Sequence, residues 1–82
     1  MITVYAISSL TKSYIYVGLS TQLDKRVDRH NKGQNKTTKP YAPFKLIYSK
    51  EFSNRKEARA YEKYLKSGIG KEFLKSIRDN LK

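Results

Sequence analysis

The stretch YIYVGLSTQLDKRVDRHN, residues 14–31, changes character at its one glycine. Before it, Tyr14, Ile15, Tyr16 and Val17 are the aromatic and β-branched residues that favour a strand. Gly18 is expected to end that run in a tight break, where the backbone needs an unusual turn or a close approach. After it, Ser20 or Thr21 can cap a helix, and Thr21 with Asp24 has the spacing of a capping box. Leu23 and Val27 give that helix an apolar stripe one turn apart. Counted from Leu23, Arg26 falls at about −60°, Val27 at about +40° and His30 at about −20°. An arginine and a histidine therefore share the face that should turn inward, where charge is costly unless it is paired or bound.

Outward from this stretch the chain alternates cleanly. ITVYAI (2–7) reads as a first strand with Ile2, Val4 and Ala6 on one face and Thr3, Tyr5 and Ile7 on the other. The polar connection SSLTKS (8–13) is short enough to make the strands at 2–7 and 14–18 antiparallel neighbours. A helix is expected over about residues 21–32, stopped by Gly33. GQNKTTKPYAP (33–43) holds both prolines and reads as a loop made basic by Lys32, Lys36 and Lys39. FKLIYSK (44–50) is a third strand, with Phe44, Leu46 and Tyr48 expected on one face.

Ser53 or Asn54 caps a second helix running to about Lys66, before Gly68 and Gly70. Its inward stripe is Ala58, Tyr61 and Leu65, and Glu62 falls inside that stripe at about +40° from Ala58. A last helix from about Lys71 carries Leu74, Ile77 and Leu81 on one side. The order strand, strand, helix, strand, helix, helix predicts an α/β domain, a small three-stranded antiparallel sheet flanked by helices. Eighty-two residues hold one domain, 1–82, with a small core.

Eighteen basic against seven acidic residues give a formal charge of +11. So one-sided a balance favours a polyanionic partner, nucleic acid above an acidic membrane, because no helix sets a wholly basic face against a broad apolar one. The absence of cysteine excludes disulfides and a cysteine-based zinc site and suits a reducing compartment. No apolar run approaches the roughly 20 residues of a membrane span, and the N-terminus lacks signal-peptide character. A soluble, cytoplasmic protein is expected. Phosphate-binding loops of the Walker type, dinucleotide fingerprints and a glycine-flanked nucleophilic serine are all missing.

The chemistry rests on Arg26, His30 and Glu62 at the edges of apolar stripes and on Tyr5 and Tyr16 on adjacent strands. A bland account exists for each. Arg26 and Glu62 can pair between helices or snorkel to solvent, and strand tyrosines commonly cover the edge of a small core. The chemical account is phosphodiester cleavage. A phenol, with an ordinary pKa of about 10 that nearby positive charge lowers, accepts a proton from water or passes it on. Arg26 holds the scissile phosphate. Glu62 holds a divalent metal, magnesium or manganese, through oxygen, and a single carboxylate is typical of a water-rich site.

These residues resemble the GIY-YIG nucleases over about residues 3–66. Thr3-Val4-Tyr5 stands where the first triplet would be and Tyr16-Val17-Gly18 where the second would be, eleven positions apart. Arg26 lies ten residues after Tyr16, His30-Asn31 follows one turn later, and Glu62 in EARAYEKYLK matches the family's metal-binding glutamate. The first triplet keeps only its tyrosine, and Val17 replaces an isoleucine. The resemblance implies a small stand-alone member of the family, a metal-dependent DNA endonuclease in which Tyr5, Tyr16, Arg26, His30 and Glu62 are catalytic. Gly18 and Asn31 would be structural, and which tyrosine serves as general base is left open. His30 would hydrogen-bond a tyrosine or the phosphate, and Lys25 and Lys66 would add charge nearby.

Many family members carry a separate domain that chooses the target. The chain has only the nuclease-like module, so single-stranded, duplex or branched DNA read by structure is the expected substrate, with long-site choice left to a protein partner. Repair and mobile-element roles both fit. The loop 32–39, with Lys32, Lys36 and Lys39, is the expected contact to the nucleic-acid backbone. The rival is a catalytically silent nucleic-acid-binding protein on the same fold. Glu62 argues against it, since a carboxylate beside bound phosphate repels unless a cation lies between. A basic RNA-associated protein is weaker still, for no RNA-specific module is present.

Overall fold

The computed structural model describes residues 1–80. Strand β1 (Ile2–Ser9) and strand β2 (Ile15–Ser20) lead into helix α1 (Leu23–Asn31), and a 3-10 turn (Lys39–Tyr41) leads into strand β3 (Phe44–Phe52). Helices α2 (Arg55–Lys66) and α3 (Gly68–Asn80) complete the chain. The sheet order is β2-β1-β3, with both pairings antiparallel. The predicted α/β class and element order hold.

The central strand explains the layering. Val4 and Ala6 point to one side of β1, where they join Val17, Ile47, Ala58, Leu65 and Leu74 beneath α2 and α3. Tyr5 and Ile7 point to the other side, where Phe44 joins them and Leu23 and Val27 of α1 pack on top. Both faces of β1 are thus covered, and Val4 to Ser9 are all buried. The alternation expected for 2–7 is the device that separates the two half-cores.

Five expectations change. Gly18 does not break the chain; β2 continues through it to Ser20, with Gly18 opposite Tyr5 and Ser20 opposite Thr3. The expected Thr21–Asp24 box does not form. Gln22 is the N-cap and makes no side-chain cap bond, while the Ser20 hydroxyl accepts the Gln22 amide at 2.9 Å before the helix begins. Phe44, Leu46 and Tyr48 do not share a face. Ala6 pairs with Tyr48 but Ile7 with Leu46, so Ile47 is an extra residue in β3. Such a bulge resets the alternation, burying Ile47 and leaving Leu46 exposed.

The fourth correction concerns the last helix, which begins at Gly68 rather than near Lys71. Ser67 makes this start, since its hydroxyl accepts the Gly70 amide at 3.3 Å and its carbonyl accepts the Lys71 amide at 2.8 Å. Gly70 is buried against the Tyr64 carbonyl and the Leu65 backbone of α2, where a Cβ would collide. Leu74 and Ile77 pack inward as expected, and Leu81 lies outside the described residues. The last correction is the Arg26–Glu62 pair. Among the described residues, Glu62 pairs with Lys66 at 3.3 Å and Arg59 at 4.0 Å instead.

Candidate active site

The site forms where α1 packs over β1 and β3, with Tyr16 of β2 reaching in beside it. The register that sets Tyr5 opposite Gly18 sets Ile7 opposite Tyr16, so the two phenols lie diagonally on the α1 face, with ring centroids 6.3 Å apart. The missing side chain at 18 makes room for this. A Cβ there would stand 2.7 Å from Tyr5 Oη and 3.0 Å from Tyr16 Cε2. Gly18 therefore serves close approach rather than a turn.

His30, in the last turn of α1, is buried with 1% exposure. Its Nε2 meets Tyr5 Oη at 3.1 Å and its Nδ1 meets Thr38 Oγ1 at 2.7 Å. The Tyr16 ring packs 4.9 Å away, centroid to centroid. Thr38 is fully buried and carries no signal in the sequence, since it sits in an aperiodic loop and its contact to His30 depends on how that loop folds back. Asn31 plays the structural part expected of it. Its Oδ1 accepts the Phe44 amide at 2.6 Å and ties the end of α1 to the start of β3. Gly33, at φ 70°, follows in the left-handed conformation of a helix stop.

Electrostatics unite the remaining members. Burial pushes the Tyr5 phenol far above its ordinary value. The Tyr16 phenol adds to the rise, the Arg26 guanidinium pulls it back, and the Glu62 carboxylate raises it a little further. Burial first, then Arg26, pulls the His30 imidazole below its ordinary value, so the ring is neutral at pH 7. Tyr5 thus senses both charges, Arg26 from α1 and Glu62 from α2.

Around Arg26 the surface is basic. Lys25, Arg26, Arg29 and Arg55 line a cleft of about 190 Å³ between β2 and the start of α1. A second cleft, of about 150 Å³, joins Arg26, Arg29 and His30 to Gln34 and Asn35. Arg29 and Arg55 were not singled out by the sequence, because as exposed helix cations they resemble any other. Of the loop lysines, Lys36 and Lys39 are exposed, and Lys32 pairs with Asp28 at 2.9 Å on the surface of α1. Lys66 is brought to Glu62.

Among the described residues, no three His, Cys, Asp or Glu side chains gather closely enough to enclose a metal. Glu62 is a lone carboxylate, its side chain 12% exposed. That donor set fits one kind of metal, a hard, water-rich cation held through one carboxylate and completed by phosphate oxygens. Among the described residues no helix is long and apolar enough to cross a membrane.

A three-stranded antiparallel sheet flanked by helices, with paired tyrosines set against a buried histidine, is the architecture of a GIY-YIG-like α/β domain. The chain belongs to the GIY-YIG family, for the model of the GIY-YIG catalytic domain matches residues 1–73. That family consists of nucleases, which generally use divalent metals. A UPF0213 protein from Pediococcus pentosaceus is 37% identical over 67 residues, 80% of this chain and 70% of the relative. Another, from Lactococcus lactis subsp. cremoris, is 38% identical over 69 residues, 82% of this chain and 70% of the relative. The solution NMR structure of a UPF0213 protein from Bacillus halodurans superposes with a TM-score of 0.55 at 31% identity, covering 94% of this chain and 85% of that one.

Proposed function

We propose that the protein is a divalent-metal-dependent DNA endonuclease, cytoplasmic, directed by the structure of single-stranded, duplex or branched DNA rather than by a long sequence. The observation that carries this reading is the Tyr5–His30–Thr38 chain, buried and fully hydrogen-bonded, beside an arginine and a lone carboxylate. A core needs no such chain, and a binding surface gains nothing from burying it.

The residues divide the work. Arg26, at the junction of two basic clefts, holds the scissile phosphate and offsets the charge that develops on it. Glu62 would hold the metal, which when bound supplies Lewis-acid neutralisation of the phosphate. Lys66 gives up its ion pair with Glu62 to a phosphate as the substrate enters. His30, protonated on Nδ1 towards Thr38, accepts a hydrogen bond from Tyr5 at Nε2. Tyr5 is a poor phenolate former, so it acts without forming one: it takes a proton from the attacking water while its own passes to His30 Nε2. Tyr16 sits half-buried beside both rings and orients water or phosphate. Lys25, Lys36 and Lys39 add phosphate contacts around this centre.

The test is cleavage of labelled single-stranded, duplex and branched DNA with magnesium, with manganese and with chelator, with Glu62→Ala purified alongside. The parent should cut only with metal. Glu62→Ala should lose cutting while binding DNA as well or slightly better, and Arg26→Ala should lose cutting with a modest loss of affinity. Tight binding without cutting in any metal would establish the silent binding protein instead. Equal cutting by Glu62→Ala would overturn the metal assignment.

A further inference from the structure

β2 is an edge strand, paired only with β1. Its outer side faces the end of α2 and the stretch of α3 from Lys71 to Arg78 across a groove of about 460 Å³. The floor is apolar, with Ile15 and Val17 lying over the buried Leu65 and Leu74 of the core, and the rim carries Lys66, Lys71, Lys75 and Arg78. Among the described residues no acidic side chain lines it. The acids of α3 answer this charge only in part. Glu72 stands 3.8 Å from Lys75 on an open surface, where such a pair contributes little, and Asp79 pairs with the half-buried Arg78 at 3.2 Å. Lys71 has no ion pair among the described residues. Lys71 and Lys75, one turn apart on one helix face, repel each other. The fold gains nothing from that repulsion, and a polyanion would relieve it.

Two residues connect this groove to the candidate active site. Tyr16 lines it and packs against His30. Lys66 lines it and holds the Glu62 carboxylate. We propose that the groove between β2 and α3 carries the sugar-phosphate backbone of the nucleic-acid strand on one side of the scissile phosphate, with Lys71, Lys75 and Arg78 as its phosphate contacts. The proposal rests on the nuclease reading above and extends the footprint to the face of the sheet opposite α1. The apolar floor suits sugars and base faces and offers no set of donors and acceptors to read base edges, so the contact is independent of sequence. A second copy of this chain does not suit the groove, because each copy would bring the same cationic rim.

The test is equilibrium binding of fluorescent single-stranded DNA in chelator across a salt series, for the parent, Lys71→Gln/Lys75→Gln, and a control, Lys56→Gln/Lys63→Gln. The control removes the same charge from exposed positions on the outside of α2. Losing two phosphate contacts should lower the slope of log Kd against log salt by about 1.4 and weaken binding roughly 10- to 30-fold near 0.1 M salt. The control should change both far less. With metal, Lys71→Gln/Lys75→Gln should raise KM and leave kcat unchanged. Trimming the substrate from one side of the cut should abolish its difference from the parent. A slope equal to the parent's, or the same loss in the control, overturns the groove while leaving the nuclease reading intact. A parent that binds no nucleic acid overturns that reading as well.

Discussion

The least legible residue in the sequence is Thr38, and it decides how His30 is held. Arg26, His30 and Glu62 stood out because helical periodicity put ionisable groups on apolar stripes, and Tyr5 and Tyr16 because two strands brought them to one corner. Thr38 belongs to no periodic segment, and only the folded loop brings its hydroxyl to Nδ1 at 2.7 Å. Thr38→Val keeps the shape and removes the hydroxyl, leaving a buried ring nitrogen without a partner, a loss of about 1–3 kcal/mol. Urea unfolding checks this, with Thr38→Ser expected to recover most of the stability. A Thr38→Val protein as stable as the parent would mean that His30 finds water instead. Gly18 was legible as a turn or a close approach, and only the pairing of β2 with β1 decides for close approach, with Tyr5 as the neighbour. Gly18→Ala should cost about 1–3 kcal/mol through overpacking, because the Tyr5 ring cannot retreat without losing His30. Thermal melts of Gly18→Ala measure it, and an unchanged midpoint would show that the ring has room to move.

At the scale of elements, all three strands and three helices follow from hydrophobic period and punctuation, while their ends and irregularities depend on partners. The bulge at Ile47 is set by pairing with Ala6 and Ile7, which no pattern within β3 encodes. Gly68 and Gly70 read as breakers because glycine is a poor helix former, yet Gly70 lies inside α3, where only a bare Cα fits against α2. The two capped helix starts on offer came out differently. Asn54 caps α2, its side chain accepting the Glu57 amide at 2.9 Å, whereas Gln22 caps α1 with no side-chain bond. Asn54→Ala should therefore cost about 1 kcal/mol and Gln22→Ala very little. Chemical denaturation of the pair provides the comparison. Equal losses would mean that the Asn54 bond contributes nothing beyond what solvent supplies.

For the whole molecule, composition isolates one proton. The chain has a single histidine and no cysteine, so between pH 7 and about 5.5 the side chain whose ordinary pKa lies in the window is His30. Burial and Arg26 hold its folded pKa below the ordinary 6.5. As pH falls through 6.5 the unfolded chain therefore binds a proton that the folded chain refuses. The unfolded state then carries the greater number of protons, so stability falls with acidification until the folded pKa is passed, below which the loss is complete. The slope is limited to one proton, about 1.4 kcal/mol per pH unit at most. Melting temperatures taken at fixed ionic strength from pH 7 to 5.5 should decline in the parent and stay nearly level in His30→Gln, whose amide can still meet Tyr5 or Thr38. Arg26→Gln should soften the decline without removing it, since burial is the larger cause. A parent whose melting temperature is flat over that window would mean that His30 accepts its proton inside the fold. The ring would then titrate as it does in the unfolded chain, and neither burial nor Arg26 would be holding the imidazole neutral for the Tyr5 proton.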